Sequence, residues 1–586
     1  MKISPNQSAW LRLLLFILSS LSSQIASAQS RPAVDSMGAN MGRQNWKAAF
    51  HWALKAAESD SADRYWRYLN AAHFASLDKN ADMAIKYAGL VLDSDIAPKA
   101  AFGKDFDWLR DDPRWKQLMK KKEQVVEDFR QKRIQESLPF RFYQKRLLDE
   151  TKQQLAALPR ESSGRALYQT LKAMYPAHNY TRHDRYQYAW VKLADSLEFP
   201  YLIQLPKGFD AAKNYPLVVI LHGAVAYQTM RDVADSSAAT GFFGHNFVNL
   251  AYEAGTIAVF PYSTKRYNWM MPDDGFGLVP TLIREVKHMY PIDDSRVYVT
   301  GYSNGATGAF SYLMKQPGLF AGFSGVNNRP QVRTGGTFLK NAANRSFYNV
   351  ATDYDYYYPI EGHRTFTALA KTLGINWQNI EITGKRNHSY LLSTRDSTIR
   401  QMYQRLFADM LSKKRNPFQP NLYWECDDIK NGRCDWLEIN ELDTLTAKSS
   451  WQVSVNATIE GWRQTMNPSV LLDSTSQAFH FPRQSGAVKA KYSGNTFDLT
   501  TSRVGKITLY FSPEMVDLNK PVSVIINGKQ IYHGPVRYDR TFLMSEFEKE
   551  MDHQALWVNK MTFWVNRLSS STSGQNSVRK RTRQKL

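Results

Sequence analysis

A serine becomes a nucleophile only when a neighbouring base takes its proton, and one passage, RVYVTGYSNGATGAFSYLM from Arg296 to Met314, has the form that brings this about. Its centre, Gly301-Tyr302-Ser303-Asn304-Gly305, is a G-x-S-x-G pentapeptide. In a nucleophile elbow of this kind a strand turns so sharply into a helix that the serine Oγ stands clear of the sheet. Glycines at 301 and 305 leave room for the turn, and the next helix presents its positive end to Ser303. A chain of 586 residues yields the pentapeptide by chance roughly 0.2 times. The inference is therefore carried by the apolar run Val297 to Val299 before it and the helix-forming segment after it.

In such a site the acid and the histidine follow the serine in the order Ser, Asp or Glu, His. Downstream, the strand-like Phe347 to Ala351 leads into TDYDYYYPIEGH. There Asp355 fits the acid through its D-x-x-x-P setting, with Asp353 as the alternative. Ile380 to Thr383 then reads as a strand, and GKRNHSY places His388 on the loop after it. Among 12 histidines, His222 follows a strand, His288 lies in a helical stretch and His363 falls soon after Asp355. His388 alone combines chain order, loop position and one strand–helix unit of spacing after the acid. It would take the Ser303 proton and return it to the leaving group, while Asp355 would orient the ring and stabilise the imidazolium. The oxyanion needs two backbone donors, expected from Asn304, just after the nucleophile, and from Ala224, just past His222-Gly223.

These loops need a rigid platform. PYLIQLPKGFD from Pro200, YPLVVILHG at 215–223 and GTIAVFPY at 255–262 are short apolar runs separated by helical stretches such as Leu278 to Met289. The continuous run Val218 to Leu221 suits a strand buried on both faces, so an α/β fold with a parallel-sheet core is expected.

Between Phe199 and Leu411 the chain resembles α/β-hydrolases of the polyhydroxyalkanoate-depolymerase and feruloyl-esterase type. The resemblance rests on LPKGFD at 205–210, LHG at 221–223, and Trp269 ahead of Asp273-Asp274 and of a helix ending in YPIDDSRVYVTGYSNGA. It implies hydrolysis of carboxylic esters, often those of plant cell-wall polymers. Related enzymes of prolyl-oligopeptidase ancestry cleave peptides with the same three residues. No metal or cofactor is implied.

Around a hydrolase domain at 185–413, other regions are expected. Residues 45–175 are helical, with apolar stripes at Phe50, Leu54, Ala57 and at Met83, Tyr87, Leu90, Val91. DFDWLRDDPRW within them resembles the end of a tetratricopeptide-like array in bacterial secreted hydrolases. Residues 417–567 carry β-prone segments and the hairpin signal Asn527-Gly528, which suits a β-sandwich-like domain. Its Trp424, Trp436, Trp451 and Trp462 are either core or a sugar platform. Residues 568–586 form a basic tail.

Residues 1–28 read as a signal peptide: Lys2 and Arg12, a short apolar run to Leu18, and Ala26-Ser27-Ala28. No other stretch has the roughly 18 apolar residues of a membrane-spanning helix, so a periplasmic or secreted protein without stable membrane insertion is expected. The net charge of +21 is scattered apart from the tail. In an exported chain this favours attraction to an anionic polysaccharide, which a polymeric substrate would supply, or to a membrane surface over nucleic acid, and a solvated basic face with no partner over either. Export also favours a disulfide between the two cysteines, Cys426 and Cys434, with Asn431-Gly432 as the turn between them. The rival readings are a secreted serine peptidase and a non-catalytic binding protein built on a hydrolase scaffold.

Overall fold

The computed structural model describes residues 32–41, 43–59, 63–159, 163–175, 185–194, 197–225, 245–355, 357–392, 396–460 and 475–565. The expected leader, Trp462 and the basic tail lie outside the described residues.

The chain divides into two compact units, and among the described residues the boundary falls between Pro139 and Phe140. In the first, helices Trp46–Ser59, Arg64–Leu77 and Ala81–Leu92 bury Ala49, Ala53, Ala71, Ala72, Ala84 and Ala88 completely. Asn80 ends the turn before the third helix by accepting a hydrogen bond from the Met83 N–H at 3.1 Å. At the start of DFDWLRDDPRW, Lys104–Leu109 is a 3-10 helix whose Phe106 stacks on Trp115 at 4.8 Å. The next element is the single long helix Pro113–Ala156, not another helix pair. The helical stretch expected at 45–175 is thus divided at Pro139. Its later part belongs with the second unit, because Leu155, Leu167, Tyr168 and Leu171 share a core with Leu543, Phe547 and Leu556.

The second unit holds an eight-stranded sheet among its described residues. Its strands are β1 (Tyr186–Ala194), β2 (Leu197–Gln204), β3 (Tyr215–Leu221), β4 (Ile257–Pro261), β5 (Ile292–Gly301), β6 (Gly322–Val326), β7 (Phe347–Thr352) and β8 (Trp377–Ile382). They lie in the order β1-β2-β4-β3-β5-β6-β7-β8. From β4 to β8 every neighbouring pair is parallel, and β1 and β2 run antiparallel at one edge. As the run Val218 to Leu221 suggests, β3 is buried almost throughout. After β3 the chain adds β4 on one side and then crosses to add β5 on the other. Such a reversal opens a crevice at the carboxyl ends of β3 and β5. His222-Gly223-Ala224 and Tyr302-Ser303 follow those two ends.

Beyond the helix Ser397–Ser412 come β9 (Asn421–Cys426), β10 (Arg433–Cys434), β11 (Leu437–Leu442), β12 (Thr458–Glu460), β13 (Thr475–Gln477), β14 (Gly486–Ser493), β15 (Thr496–Ser502), β16 (Val504–Phe511), β17 (Val522–Ile526), β18 (Lys529–Gly534) and β19 (Asn559–Trp564). β10-β11-β16-β19 and β18-β17-β15-β14-β9 form two sheets that share one core, and β12 and β13 pair separately. Asn527 and Gly528, at φ +51° and +79°, make the expected hairpin between β17 and β18. Trp424 and Trp436 are fully buried in the shared core and donate their indole N–H groups to Asn431 O and Gln419 O. They cannot serve as a sugar platform, whereas Trp451 is partly exposed.

The expected disulfide is absent: Cys426 and Cys434 are free and fully buried. Asn431-Gly432 is not a hairpin turn, since Ile429–Asn431 is a 3-10 helix and Gly432 has φ −74°. Instead the segment crosses between sheets, β9 pairing with β14 and β10 with β11. Burial pushes the Cys426 thiol up to about 12 and that of Cys434 well above its ordinary value. A thiol reagent should therefore titrate two groups per chain in denatured, unreduced protein and neither in the folded state.

Candidate active site

Ser303 stands between β5 and the helix Asn304–Lys315 with φ +54° and ψ −118°. L-residues with a side chain rarely occupy that region, and surrounding structure must hold them there. Here Ser303 donates its N–H to Val326 O at 2.9 Å, and Gly305 donates to Tyr302 O at 2.9 Å. The helix start lies hard against β3: a Cβ at Gly305 would sit 2.0 Å from Leu221 O, and one at Gly301 would sit 2.5 Å from the Gly305 carbonyl carbon. Only glycine fits at either position, so the elbow read from the sequence has a steric cause. From Gly305 to Lys315 the helix is buried, which directs its positive pole at Ser303 through a medium of low polarity.

Three of the residues singled out by sequence converge. His388 Nε2 lies 3.1 Å from Ser303 Oγ, and its Nδ1 lies 2.6 Å from Asp355 Oδ2. The other carboxylate oxygen, Asp355 Oδ1, accepts from the N–H groups of Tyr357 (2.8 Å) and Tyr358 (3.1 Å). One oxygen thus shapes the loop and the other faces the ring. Tyr302, Tyr357 and Tyr358 pack around the imidazole with ring centroids 5.2, 4.9 and 5.6 Å away. Asp355 and His388 are buried, whereas Ser303 is half-buried.

Asp353, the alternative acid, is used elsewhere. Its carboxylate accepts from the N–H groups of Gly384 (2.9 Å), Lys385 (3.1 Å) and Arg386 (2.7 Å), the turn that leads to His388. Burial opposes its charge, but these bonds outweigh burial and hold its carboxyl below the usual range. Burial also lowers His222, His288 and His363 to about 4, so all three are neutral at pH 7. Neutral His222 donates from Nδ1 to Gly223 O at 2.6 Å, with Nε2 3.3 Å from Ser263 Oγ, and supports the loop after β3 from below.

On that loop Ala224 has φ +47° and is exposed. The next residue, Val225, donates its N–H to Asn304 Oδ1 at 3.1 Å, and Asn304 Nδ2 faces the Tyr358 hydroxyl at 3.4 Å. The Asn304 side chain therefore ties the backbone bearing Ala224 to the helix start, where first-turn N–H groups lack partners within the helix. Among the described residues no cluster of His, Cys, Asp or Glu is arranged to hold a metal ion.

No family model matches the chain. Over 132 residues it is 31% identical to poly(3-hydroxyalkanoate) depolymerase C of Paucimonas lemoignei, a match covering 22% of this chain and 30% of that protein. The chain thus spans under a third of the length of this relative. Similar solved structures include a thermostable esterase (21% identity, TM-score 0.32, 40% of this chain and 64% of that one). Thermogutta terrifontis esterase 2 phosphorylated by paraoxon is another (12%, 0.31, 39% and 95%). A third is Pyrococcus horikoshii acylaminoacyl peptidase (16%, 0.31, 41% and 44%).

Sequence reasoning missed the side-chain role of Asn304, the packing of Tyr302, Tyr357 and Tyr358 on His388, and the turn held by Asp353. The tyrosine-rich acid loop was the available signal for the packing. The geometry separates the two acids experimentally. Asp355→Asn should lower kcat about 10,000-fold by favouring the wrong ring tautomer. Asp353→Asn should act chiefly on stability, lowering Tm with a much smaller loss of kcat. Esterase kinetics and thermal melts of the two variants check this.

Proposed function

We propose that this chain is an exported serine hydrolase that cleaves carboxylic esters through an acyl-enzyme on Ser303. One observation carries the reading: a single imidazole, His388, within hydrogen-bonding distance of both a strained serine and a buried carboxylate. In the reaction His388 accepts the Ser303 proton as Oγ attacks the ester carbonyl. It then passes that proton to the departing alcohol, and Asp355 holds the ring and balances its transient charge. The N–H groups of Ala224 and Asn304 are the donors for the oxyanion, each of which is worth ~100–1,000-fold in rate. Water then gives a proton to His388 as its oxygen bonds to the acyl carbon; the Ser303 Oγ–acyl bond breaks, His388 returns the proton to Oγ, and the carboxylic acid leaves with Ser303 restored.

The likeness to a poly(3-hydroxyalkanoate) depolymerase supports an ester substrate over a peptide, and it is compatible with a polymer. The leader-like residues 1–28 support export, and no helix among the described residues is long and apolar enough to cross a membrane.

A fluorophosphonate probe should label wild-type protein at Ser303 and leave Ser303→Ala unlabelled. Ser303→Ala and His388→Ala should each lower kcat on the order of a millionfold, because the members act as a unit. A panel of aryl esters, feruloyl esters, soluble polyesters and chromogenic peptides ranks the substrates. Faster cleavage of peptides than of every ester would overturn the ester assignment. Folded protein that neither labels nor turns over any of them would favour the binding-protein reading.

A further inference from the structure

The catalytic side chains sit on three separate loops, and one buried amide touches two of those loops and adjoins the third. Asn327 follows β6, has φ +50° and is completely buried. Its N–H donates to Val350 O at 2.8 Å, and its Oδ1 accepts from the Thr352 N–H at 3.0 Å and faces Thr352 Oγ1 at 3.3 Å. Those contacts hold the end of β7, from which the loop to Asp355 departs. Its Nδ2 donates to the His388 main-chain carbonyl at 2.9 Å. The neighbouring residue Val326 supplies the carbonyl that receives the Ser303 N–H. The same His388 carbonyl accepts a second hydrogen bond, from the hydroxyl of Tyr302, the residue before the nucleophile.

We infer that Tyr302 and Asn327 are positioning residues that clamp the His388 peptide group and so set the distance from its imidazole to Ser303 and Asp355. This rests on the reading of Ser303, His388 and Asp355 as the reacting residues. Two facts favour a dedicated clamp over incidental packing. A left-handed φ at a non-glycine residue is sustained only by its surroundings, and asparagine is among the few side chains that accept it. The amide is also used in both senses, donor to the base loop and acceptor from the acid loop, which no apolar side chain and no carboxylate can reproduce. His388 opens a short 3-10 helix, His388–Leu392, so its backbone has no strand ladder to hold it. Fixing its carbonyl from both sides supplies that hold. Both are buried and reach the His388 carbonyl, so both act through His388.

Asn327→Asp tests the clamp. It keeps the shape, the tolerance for left-handed φ and the acceptor for Thr352, but it turns the donor into a charge that repels the His388 carbonyl. Displacing a catalytic group by about 1 Å costs on the order of 100-fold, so kcat should fall by about that factor while KM stays within about twofold. Tyr302→Phe removes one hydroxyl and leaves the ring; with the second donor intact, kcat should fall about tenfold, the equivalent of one neutral hydrogen bond. It also guards against failure of Asn327→Asp to fold. The low-field proton resonance of the His388 Nδ1–H facing Asp355 should shift or broaden in both variants, a signature that loss of general stability would not produce in folded protein. Wild-type kcat and an unmoved resonance in folded variants would overturn the clamp. Ser303→Ala, measured alongside, separates this from failure of the functional reading. If it stays active, the assignment of the nucleophile falls, and the resonance still reports whether the two donors hold His388.

Discussion

The close approach of a helix start to the end of a strand governs this site. Because Gly305 lies against Leu221 O, the chain leaving β5 has only one way to enter its helix, and Ser303 is left with φ +54°. Everything chemically useful about Ser303 follows from that conformation. Its Oγ projects above the sheet, its N–H reaches across to Val326 O, and the helix pole lies beneath it. The strain is local, but the burial of the helix and of β3 stabilises the fold enough to maintain it.

Around that point, each loop uses its polar atoms twice. Asp355 divides its two oxygens between its own loop and the imidazole. Asn304 joins the helix start to the loop carrying Ala224, and Asp353 closes the turn that delivers His388. The result is a site pre-organised by hydrogen bonds between loops, while the sheet below supplies only the anchor points. Such an arrangement meets the demand that donors and base be in place before charge develops.

How much of this is legible in the sequence depends on the range of the interaction. The elbow is legible because its cause is local: two glycines, an apolar strand and a helix in one continuous segment. Asp355 and His388 are legible through chain order and loop position, which the strand–helix alternation fixes. Asn327 is not, because nothing near VNNRP distinguishes a residue that will meet both Thr352 and His388. The cysteines show a local rule misapplied. Asn431-Gly432 and Asn527-Gly528 are the same dipeptide, yet only the second has the left-handed backbone of a hairpin. The first lies where β9 pairs with the remote β14 while β10 turns straight back onto the adjacent β11, so β9 and β10 do not pair with each other. The tryptophans at 424 and 436 were ambiguous for a related reason, since a sandwich core and a binding face draw on the same residue type.

The helix that starts just after Ser303 ends in a salt bridge. Lys315 is buried and meets the carboxylate of Asp427, also buried, at 2.7 Å, just beyond β9. Arg345, ahead of β7, pairs likewise with Asp435 beyond β10, and Arg415 with Asp552 near the C-terminal strand. The first two pairs join the sheet region bearing Ser303 to the β-rich region, and the third ties the link between them, at Arg415, to the β-rich region. Stripping away the partner of a buried charge typically costs about 3–5 kcal/mol, so the two regions are not separable modules that evolution can exchange freely. Recombination that replaced the C-terminal strands would deprive Lys315, Arg345 and Arg415 of their buried partners. The β-rich region therefore has to be inherited together with the sheet that bears Ser303.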